Sequence, residues 1–586
     1  MAALKIPHLK RTKTSAQLIV KGKPFLMLPC ETHNSSFSSS AYMDRLWAEL
    51  KNCNFNTILG SVSWECIEPH EGHFDFSELD RIILAARGHG LHLVLLWFGA
   101  YKNGTSSYAP GWVKRDFGRF PRVRIRGGEA GDASPLKTVE VLSPFSQAAW
   151  EADGRAFAAL LQHVRDIDEE HSTVLMVQVE NECGVLGDSR DRSRLAEEAF
   201  AKPVPRSLLQ YLAGKEEEEE GGRLHPEFEK RFPELRSAVL DRGAKSWEEV
   251  FGQSELADEM LMAAAYANFL GKVCGAGKRE YPLPMFANVW LNTNNPSFLD
   301  IDDLPGAMGE ALAVAGGTKP GAYPSGGPCP HAIDIYRFYA PELDMLAPDV
   351  YLQKYEWVCQ QYRHASQPLF LPEQRADGRG ARRAWLAYGT YAALGCSPFG
   401  IDETSARESE FTTPYGLLSK MQTHILEAQA NHPEHMIGFF FDEPRDGASP
   451  AELQQDSWTH TLGEFRLTIT RSFTMGKPTP GYGIIIHRGD GRFLLLGQGF
   501  QVSFTSIRAS ATYTGILDFT ELDVDAEGNL SGLRKLNGDQ RMGGELAIMP
   551  SLEIDRGAFP IWVTQPASTM VAECTAYVIE EPVNGV

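Results

Sequence analysis

Short apolar runs alternate with amphipathic segments through the first 430 or so residues, and most runs end in a polar cluster. This rhythm predicts repeated βα units, in which each strand opens onto a polar loop and each helix covers the sheet. Residues 17–28 read as a hairpin leading into a first barrel strand that opens onto Pro29, Cys30, Glu31, Thr32, His33 and Asn34. A helix over 42–51 precedes a second strand at 55–60. Ser77 and Asp80 then form a capping pair for a helix that buries Leu79, Ile82 and Ile83 and ends at Gly88 and Gly90. Strand three is 91–97. Phe157, Leu160, Leu161, Val164 and Ile167 recur at helical spacing, so this helix turns one apolar face to the barrel. Strand four, 173–182, follows it, and strands five (284–292), six (343–351), seven (368–375) and eight (395–402) complete the set. Eight such strands predict an α/β fold, a closed (β/α)8 TIM barrel.

Between strands four and five the pattern predicts a helical insertion at about 188–280, which includes a helix over 257–272. The same stretch holds an acidic run, Glu216 to Glu220 followed by Gly221 and Gly222, which reads as a solvated loop. From about 435 the character changes to strand after strand: 436–441, 465–471, 483–487, 492–496, 500–506 and 569–579. Arg488-Gly-Asp-Gly491 lies between two apolar runs as a hairpin turn. The division expected is a catalytic barrel over 1–434 and a C-terminal all-β, sandwich-like domain over 435–586.

Composition narrows the partners. The 586 residues carry a formal charge of -20, a field that neither nucleic acid nor an anionic membrane would welcome, whereas a neutral sugar fits. The N-terminal residues lack an apolar run of signal-peptide length and no later stretch approaches a membrane span, so the sequence reads as cytoplasmic. Nine scattered cysteines without a C-x-x-C pair indicate free thiols, not disulfides or structural zinc. On that compartment, the sequons at Asn34, Asn103 and Asn529 are coincidental. Gly275-Ala-Gly-Lys278 lacks the spacing of a phosphate loop, and His432-Pro-Glu-His435 is too short, with Pro433 inside it, for a zinc helix. Neither a cofactor nor a metal is implied, and whether the chain forms a homo-oligomer is left open.

The chemistry lies at two strand ends. Thr173-Val-Leu-Met-Val-Gln-Val-Glu-Asn-Glu182 delivers a carboxylate at the end of strand four, and Pro368-Leu-Phe-Leu-Pro-Glu373 delivers another at the end of strand seven. Hydrolysis of a glycosidic bond with retention needs a proton donor and a carboxylate nucleophile about 5 to 5.5 Å apart, on opposite sides of the anomeric carbon. Adjacent residues on one strand cannot supply both, but the C-terminal ends of two barrel strands can. Glu182 is assigned as general acid and then base, and Glu373 as nucleophile. Asn181 is placed to bind the sugar 2-hydroxyl or the nucleophile. By strand parity, Glu180 shares the side of Glu182, one layer deeper. Glu31, Asn34, Trp64, Trp97, Tyr101, Asn103, Trp290, Asn292 and Tyr351 complete the candidates for a sugar pocket, because aromatic faces stack on sugar C–H surfaces while amides and carboxylates hold hydroxyls.

Gln178-Val-Glu-Asn-Glu182 with Gly184 resembles the acid/base segment of glycoside hydrolase family 35 β-galactosidases, and the stretch from Trp64 through Glu65, Glu68, Pro69, Glu71 and Gly72 to Phe76 resembles a second-strand signature shared with family 42. Leu371-Pro-Glu373-Gln and Ser397-Pro-Phe-Gly-Ile-Asp402 extend the resemblance across the barrel. It implies a retaining exo-β-galactosidase, acting on a β-galactoside oligosaccharide or glycoconjugate. Cys183 stands where most relatives carry an aromatic residue, and Gln374-Arg375 replaces an aromatic-rich stretch. Two alternatives stay open: a β-glycosidase of other specificity, such as a β-glucosidase or a plant-wall side-chain hydrolase, and a catalytically silent carbohydrate-binding protein on the same barrel.

Overall fold

In a computed structural model of the chain, residues 6–12, 14–127, 135–213, 224–235, 243–293, 299–300, 316–364, 367–444, 456–472, 479–536, 538–553 and 563–580 are described. Eight strands form its centre: β1 (Pro29–Glu31), β2 (Thr57–Ser63), β3 (His92–Lys102), β4 (Val174–Asn181), β5 (Met285–Trp290), β6 (Met345–Asp349), β7 (Leu371–Gln374) and β8 (Cys396–Pro398). The first six pair side by side in chain order, all parallel, and β7 pairs with β8. Parallel bridges join the two groups at both seams, Val350 to Gln374 and Glu31 to Phe399. The N–H of Val350 donates to the Glu373 carbonyl at 2.9 Å, and that of Gly400 to the Glu31 carbonyl at 2.9 Å. The ring closes as a (β/α)8 barrel, as the run of eight strands predicts.

Strands in such a ring are buried on both faces, which is why their sequences run apolar without alternation. Along β3, Val94, Leu96 and Phe98 join Leu59, Phe286 and Phe370 in the cluster that fills the barrel, while Leu93, Leu95 and Trp97 belong to the larger cluster under the helices. The hairpin expected within 17–28 pairs Ala16–Val20 with Lys23–Pro24, a further strand, His8–Arg11, pairs along its other edge, and Leu18 and Val20 enter the barrel-filling cluster. It closes the end away from the polar loops.

Helix α1 (Ser77–His89) ends at Gly90, whose φ of 70° is the left-handed conformation that a C-terminal cap favours. The expected Ser77–Asp80 capping pair is not what starts it: Asp75 accepts the Ser77 N–H at 2.9 Å, and Asp80 meets His163 of helix α2 (Gln147–Asp168) at 2.6 Å. Helix α3 (Glu255–Glu280) packs along α2 and feeds β5 directly, so it is the barrel's own covering helix. The inserted material is therefore shorter than the 188–280 expected, because helical periodicity alone cannot tell an inserted helix from a repeat helix. The acidic run at 216–220 lies outside the described residues.

Helices α4 (Gly378–Gly389) and α5 (Thr412–Asn431) lead to antiparallel strands in two sheets. Six strands, β9 (Met436–Phe441), β12 (Gly481–His487), β13 (Arg492–Gln498), β18 (Val571–Glu580), β15 (Ala511–Val524) and β16 (Leu530–Lys535), form one in that spatial order. The other comprises β10 (Ser457–Leu462), β11 (Phe465–Arg471), β14 (Phe500–Ser506) and β17 (Leu546–Met549). The six-stranded sheet is apolar on both sides: Ile437, Phe439, Ile485 and Leu495 face the smaller sheet, whereas Met436, Ile484, Ile486 and Leu496 join the barrel's outer core. Among the described residues no helix is long and apolar enough to cross a membrane.

Candidate active site

The end of β4 departs from regular strand geometry. Glu180 has φ 60° and Glu182 has φ 44°, left-handed values that cost a non-glycine residue about 1 kcal/mol or more and break the alternation of side chains. Parity places Glu180 and Glu182 on one side; the turned backbone separates them. Glu180 faces outward, fully buried, accepting the Tyr101 N–H at 2.6 Å and hydrogen-bonding Asp153 of α2. Burial and the Asp153 charge hold its carboxyl well above the usual range. Asn181 and Glu182 turn toward the barrel mouth. The N–H of Glu182 donates to Asn288 Oδ1 at 2.9 Å, which ties the strained residue to β5.

Glu373 enters from β7, where a register shift between Leu371 and Gln374 interrupts the pairing with β8. Tyr351 donates its hydroxyl to Glu373 Oε2 at 2.7 Å, and Asn288 Nδ2 lies 3.4 Å and Asn181 Nδ2 3.5 Å from Oε1. Oxygens of Glu182, Asp349 and Glu373 all lie within 4.8 Å of one another, and all three residues are buried. Among the described residues, this is the one group of side chains that meets at distances a metal would need. The Asn288 amide already bridges two of its carboxyl groups, Asp349 at 2.8 Å and Glu373 at 3.4 Å, and the Tyr351 hydroxyl occupies the second oxygen of Glu373.

Electrostatics differentiates the carboxyl groups. Burial, reinforced by the charge of Glu373, raises the Glu182 carboxyl to about 7 against the pull of nearby Lys102 and a hydrogen bond from Asp349. Asp349 is pushed well above the ordinary range by burial and by Glu373 and Glu182. Glu31, only 1% exposed, is raised by burial and by Glu373, and neither of its oxygens has a hydrogen-bond partner among the described residues. Asn181 Oδ1 and Asn34 Oδ1 are likewise buried and unpartnered. Leaving such groups dry and unpaired costs about 1–3 kcal/mol each, so the pocket is built for a ligand rich in hydroxyl donors.

The site brings together Glu31, Asn181, Glu182, Tyr351 and Glu373 from the residues singled out in the sequence. Trp290 lies at the end of β5, two positions beyond inward-facing Asn288, and Asn292 is buried just past it. Asn34 follows β1, and its carbonyl accepts the Ser61 hydroxyl. Three aromatic candidates face away from the carboxylates. Trp97 gives its indole N–H to Asp153 at 2.8 Å, Tyr101 gives its hydroxyl to the Leu142 carbonyl at 3.2 Å between Tyr266 and Phe269, and Trp64 gives its indole N–H to Glu68 at 2.8 Å. All three belong to the outer core: Trp97 and Tyr101 lie on a strand buried on both faces, whose apolar sides look alike in sequence, and Trp64 opens the short helix that follows β2. Asn103 is exposed and accepts the Lys102 ammonium at 2.6 Å. Sequence reasoning passed over Asp349 and Asn288, although each continues the inward series of its strand, Asn288 after Phe286 and Asp349 after Met345 and Ala347. Cys183, the departure in the motif, is buried beside Tyr101, Tyr266 and Tyr336 on the outward side, where the space an aromatic would need is filled by these tyrosines.

Residues 39–213 match the family model described as "Beta-galactosidase" of glycoside hydrolase family 42, and residues 411–547 match "Domain of unknown function (DUF5597)". The matching model is that of family 42, so the likeness to family 35 rests on the motifs. The second match begins at residue 411, just before α5 and ahead of the boundary expected at 435. "Beta-galactosidase-1-like protein 3" of Mus musculus is 26% identical over 202 residues, 33% of this chain and 27% of that protein. "Beta-galactosidase" of Xanthomonas manihotis is 27% identical over 177 residues, 29% of this chain and 26% of that protein. The chain thus spans about a quarter of the length of these curated relatives. Among solved structures, a β-galactosidase from Bacillus circulans sp. alkalophilus overlaps 69% of this chain and 57% of its own at a TM-score of 0.42 and 14% identity. The catalytic domain of a β-amylase from Paenibacillus polymyxa overlaps 66% and 97%, at 0.42 and 12%.

Proposed function

We propose that this chain is a retaining exo-glycoside hydrolase that removes terminal β-D-galactosyl residues, with Glu182 as acid and base and Glu373 as nucleophile. The observation that carries the reading is the meeting of these two glutamates in one buried pocket, with oxygens within 4.8 Å. Inverting enzymes hold their carboxyl groups roughly 6.5–9.5 Å apart to admit a water, whereas direct attack needs about 5–5.5 Å, and the crowding here favours the second.

The environments divide the labour. Glu373 accepts hydrogen bonds from Tyr351 and, at longer range, from the Asn181 and Asn288 amides, the surroundings of an ionised nucleophile. Glu182, raised to about 7, carries a proton near neutrality and can give it to the departing oxygen. Glu373 attacks the anomeric carbon as that bond breaks, forming a glycosyl ester. Glu182, now ionised, takes a proton from a water that attacks the same carbon, and the sugar leaves with its original configuration while Glu373 is freed. Galactose as the glycone is supported by the match of residues 39–213 and by the unpartnered oxygens of Glu31, Asn34 and Asn181, which suit sugar hydroxyls.

A panel of aryl β-glycosides separates the readings. The β-galactoside is expected to be hydrolysed fastest, with the β-anomer as first product by NMR. Glu373→Ala should abolish turnover, and azide should restore it as a glycosyl azide of inverted configuration. Preference for another glycone would move the specificity, and binding of galactose without hydrolysis of any member of the panel would overturn the enzyme reading.

A further inference from the structure

A third carboxyl group belongs to the machinery. Asp349, at the tip of β6, is 3% exposed and accepts Asn288 Nδ2 at Oδ2, at 2.8 Å. The orientation of Asn288 is fixed from its other end, since its Oδ1 accepts the backbone N–H of Glu182 at 2.9 Å. The amide nitrogen therefore turns toward the carboxylates, with Asp349 Oδ2 at 2.8 Å and Glu373 Oε1 at 3.4 Å. Asp349 Oδ1 is buried and receives no donor among the described residues, and Asp349, Glu182 and Glu373 bring carboxyl oxygens within 4.8 Å of one another, where the Asp349 and Glu182 carboxyls can share a hydrogen bond. Three buried carboxyl groups this close cannot all be ionised, and one that donates to another must hold a proton, because ionised carboxylates only accept.

We propose that Asp349 is a positioning residue that remains protonated through the cycle and donates its O–H to one oxygen of Glu182, which holds the transferable proton of Glu182 on the other oxygen, facing the bond to be cleaved. This rests on the glycosidase reading given above. When Glu182 gives its proton to the leaving group, the same O–H stabilises the carboxylate left behind, and when Glu182 recovers a proton from water the arrangement is restored. No proton leaves Asp349. The other charged or titratable groups facing the pair are Glu31 from β1, Lys102 at the end of β3, Glu373 from β7, and Tyr351.

The test compares Asp349→Leu, which removes the donor at similar volume, with Asp349→Asn, whose amide can still donate. In the wild type, kcat/KM for an aryl β-galactoside should fall as Glu182 ionises. In Asp349→Leu that limb should move up by about one pH unit, since a hydrogen bond to a charged group is lost, and alkyl galactosides should suffer more than nitrophenyl ones, which need little protonation. Asp349→Asn should keep the limb within a few tenths of a unit. An unmoved limb in Asp349→Leu, or the same movement in Asp349→Asn, would overturn the proposal. If Asp349→Leu does not fold, Asp349→Ala is read in its place. The 13Cδ titration of Glu182, identified by its loss in Glu182→Gln, measures the same shift without substrate. A wild type inert on every glycoside would thus sink the glycosidase reading while this titration still decides the role of Asp349.

Discussion

In the proposed cycle Glu182 must hold a proton when the glycosidic bond breaks, and its carboxyl is raised to about 7 by burial and by Glu373. Activity on substrates with poor leaving groups should accordingly decline as pH rises through about 7, a measurement of kcat/KM against pH. Glu182→Gln should lower kcat on such substrates by about 10²- to 10⁴-fold, the usual share of general acid catalysis, and much less on nitrophenyl glycosides. Equal losses on both would remove Glu182 from the acid role. Glu31 gives a second test at this scale. Its two buried oxygens have no partner among the described residues, so Glu31→Gln should raise the melting temperature of the free protein at pH 8 while weakening sugar binding, because it deletes an uncompensated buried acid and half of a hydroxyl acceptor. A lower melting temperature together with unchanged affinity would contradict this.

At the scale of elements, the acid/base turn depends on close approach. Gly184, at φ 148°, follows Glu182, and a Cβ there would lie 2.4 Å from the Pro324 backbone, so Gly184→Ala should displace the turn and cost activity well before it unfolds the barrel. Gly438 of β9 sits against α4, where a Cβ would fall 2.1 Å from the Trp385 carbonyl. Gly438→Ala should therefore destabilise the protein by about 1–3 kcal/mol or more, read in denaturant unfolding, with little change in KM. The strands themselves were legible, because eight apolar runs each ended in polar residues. What stayed hidden was which way each side chain points. Trp97 and Leu96 are equally apolar and lie on opposite faces of β3, and Glu180 and Glu182 obey parity only in a backbone without left-handed residues. Asp349 escaped notice for the opposite reason, since a lone aspartate at a strand end gains meaning only when Asn288 and Glu182 are seen beside it.

The whole molecule carries the cost of this site. Glu31, Glu180, Glu182 and Asp349 hold protons in the folded state at pH values where the unfolded chain has released them. Protons bound in excess by the native state make stability fall as pH rises, from the ordinary carboxylate range up to at least about 7, the value for Glu182. The formal charge of -20 acts in the same direction through self-repulsion. Thermal unfolding should thus occur at a higher temperature at pH 5.5 than at pH 8, and the reverse order would show that other groups dominate. The two-sided sheet has a further consequence for dissection. Ending the chain after residue 434 would bare the barrel surface that Ile484, Ile486 and Leu496 cover, and such a fragment should aggregate on expression, as gel filtration would show.

The N-terminal hairpin adds a constraint in time. Leu18 and Val20 leave the ribosome before the rest of their cluster, and Phe370 and Leu394 of that cluster are synthesised more than 300 residues later. Through most of translation the hairpin has a stopper's shape and no vessel to fit. The barrel floor can be sealed only after the last strand arrives, so nascent chains of this protein must carry an exposed apolar plug for nearly the whole length of the barrel, the interval in which a chaperone would find it.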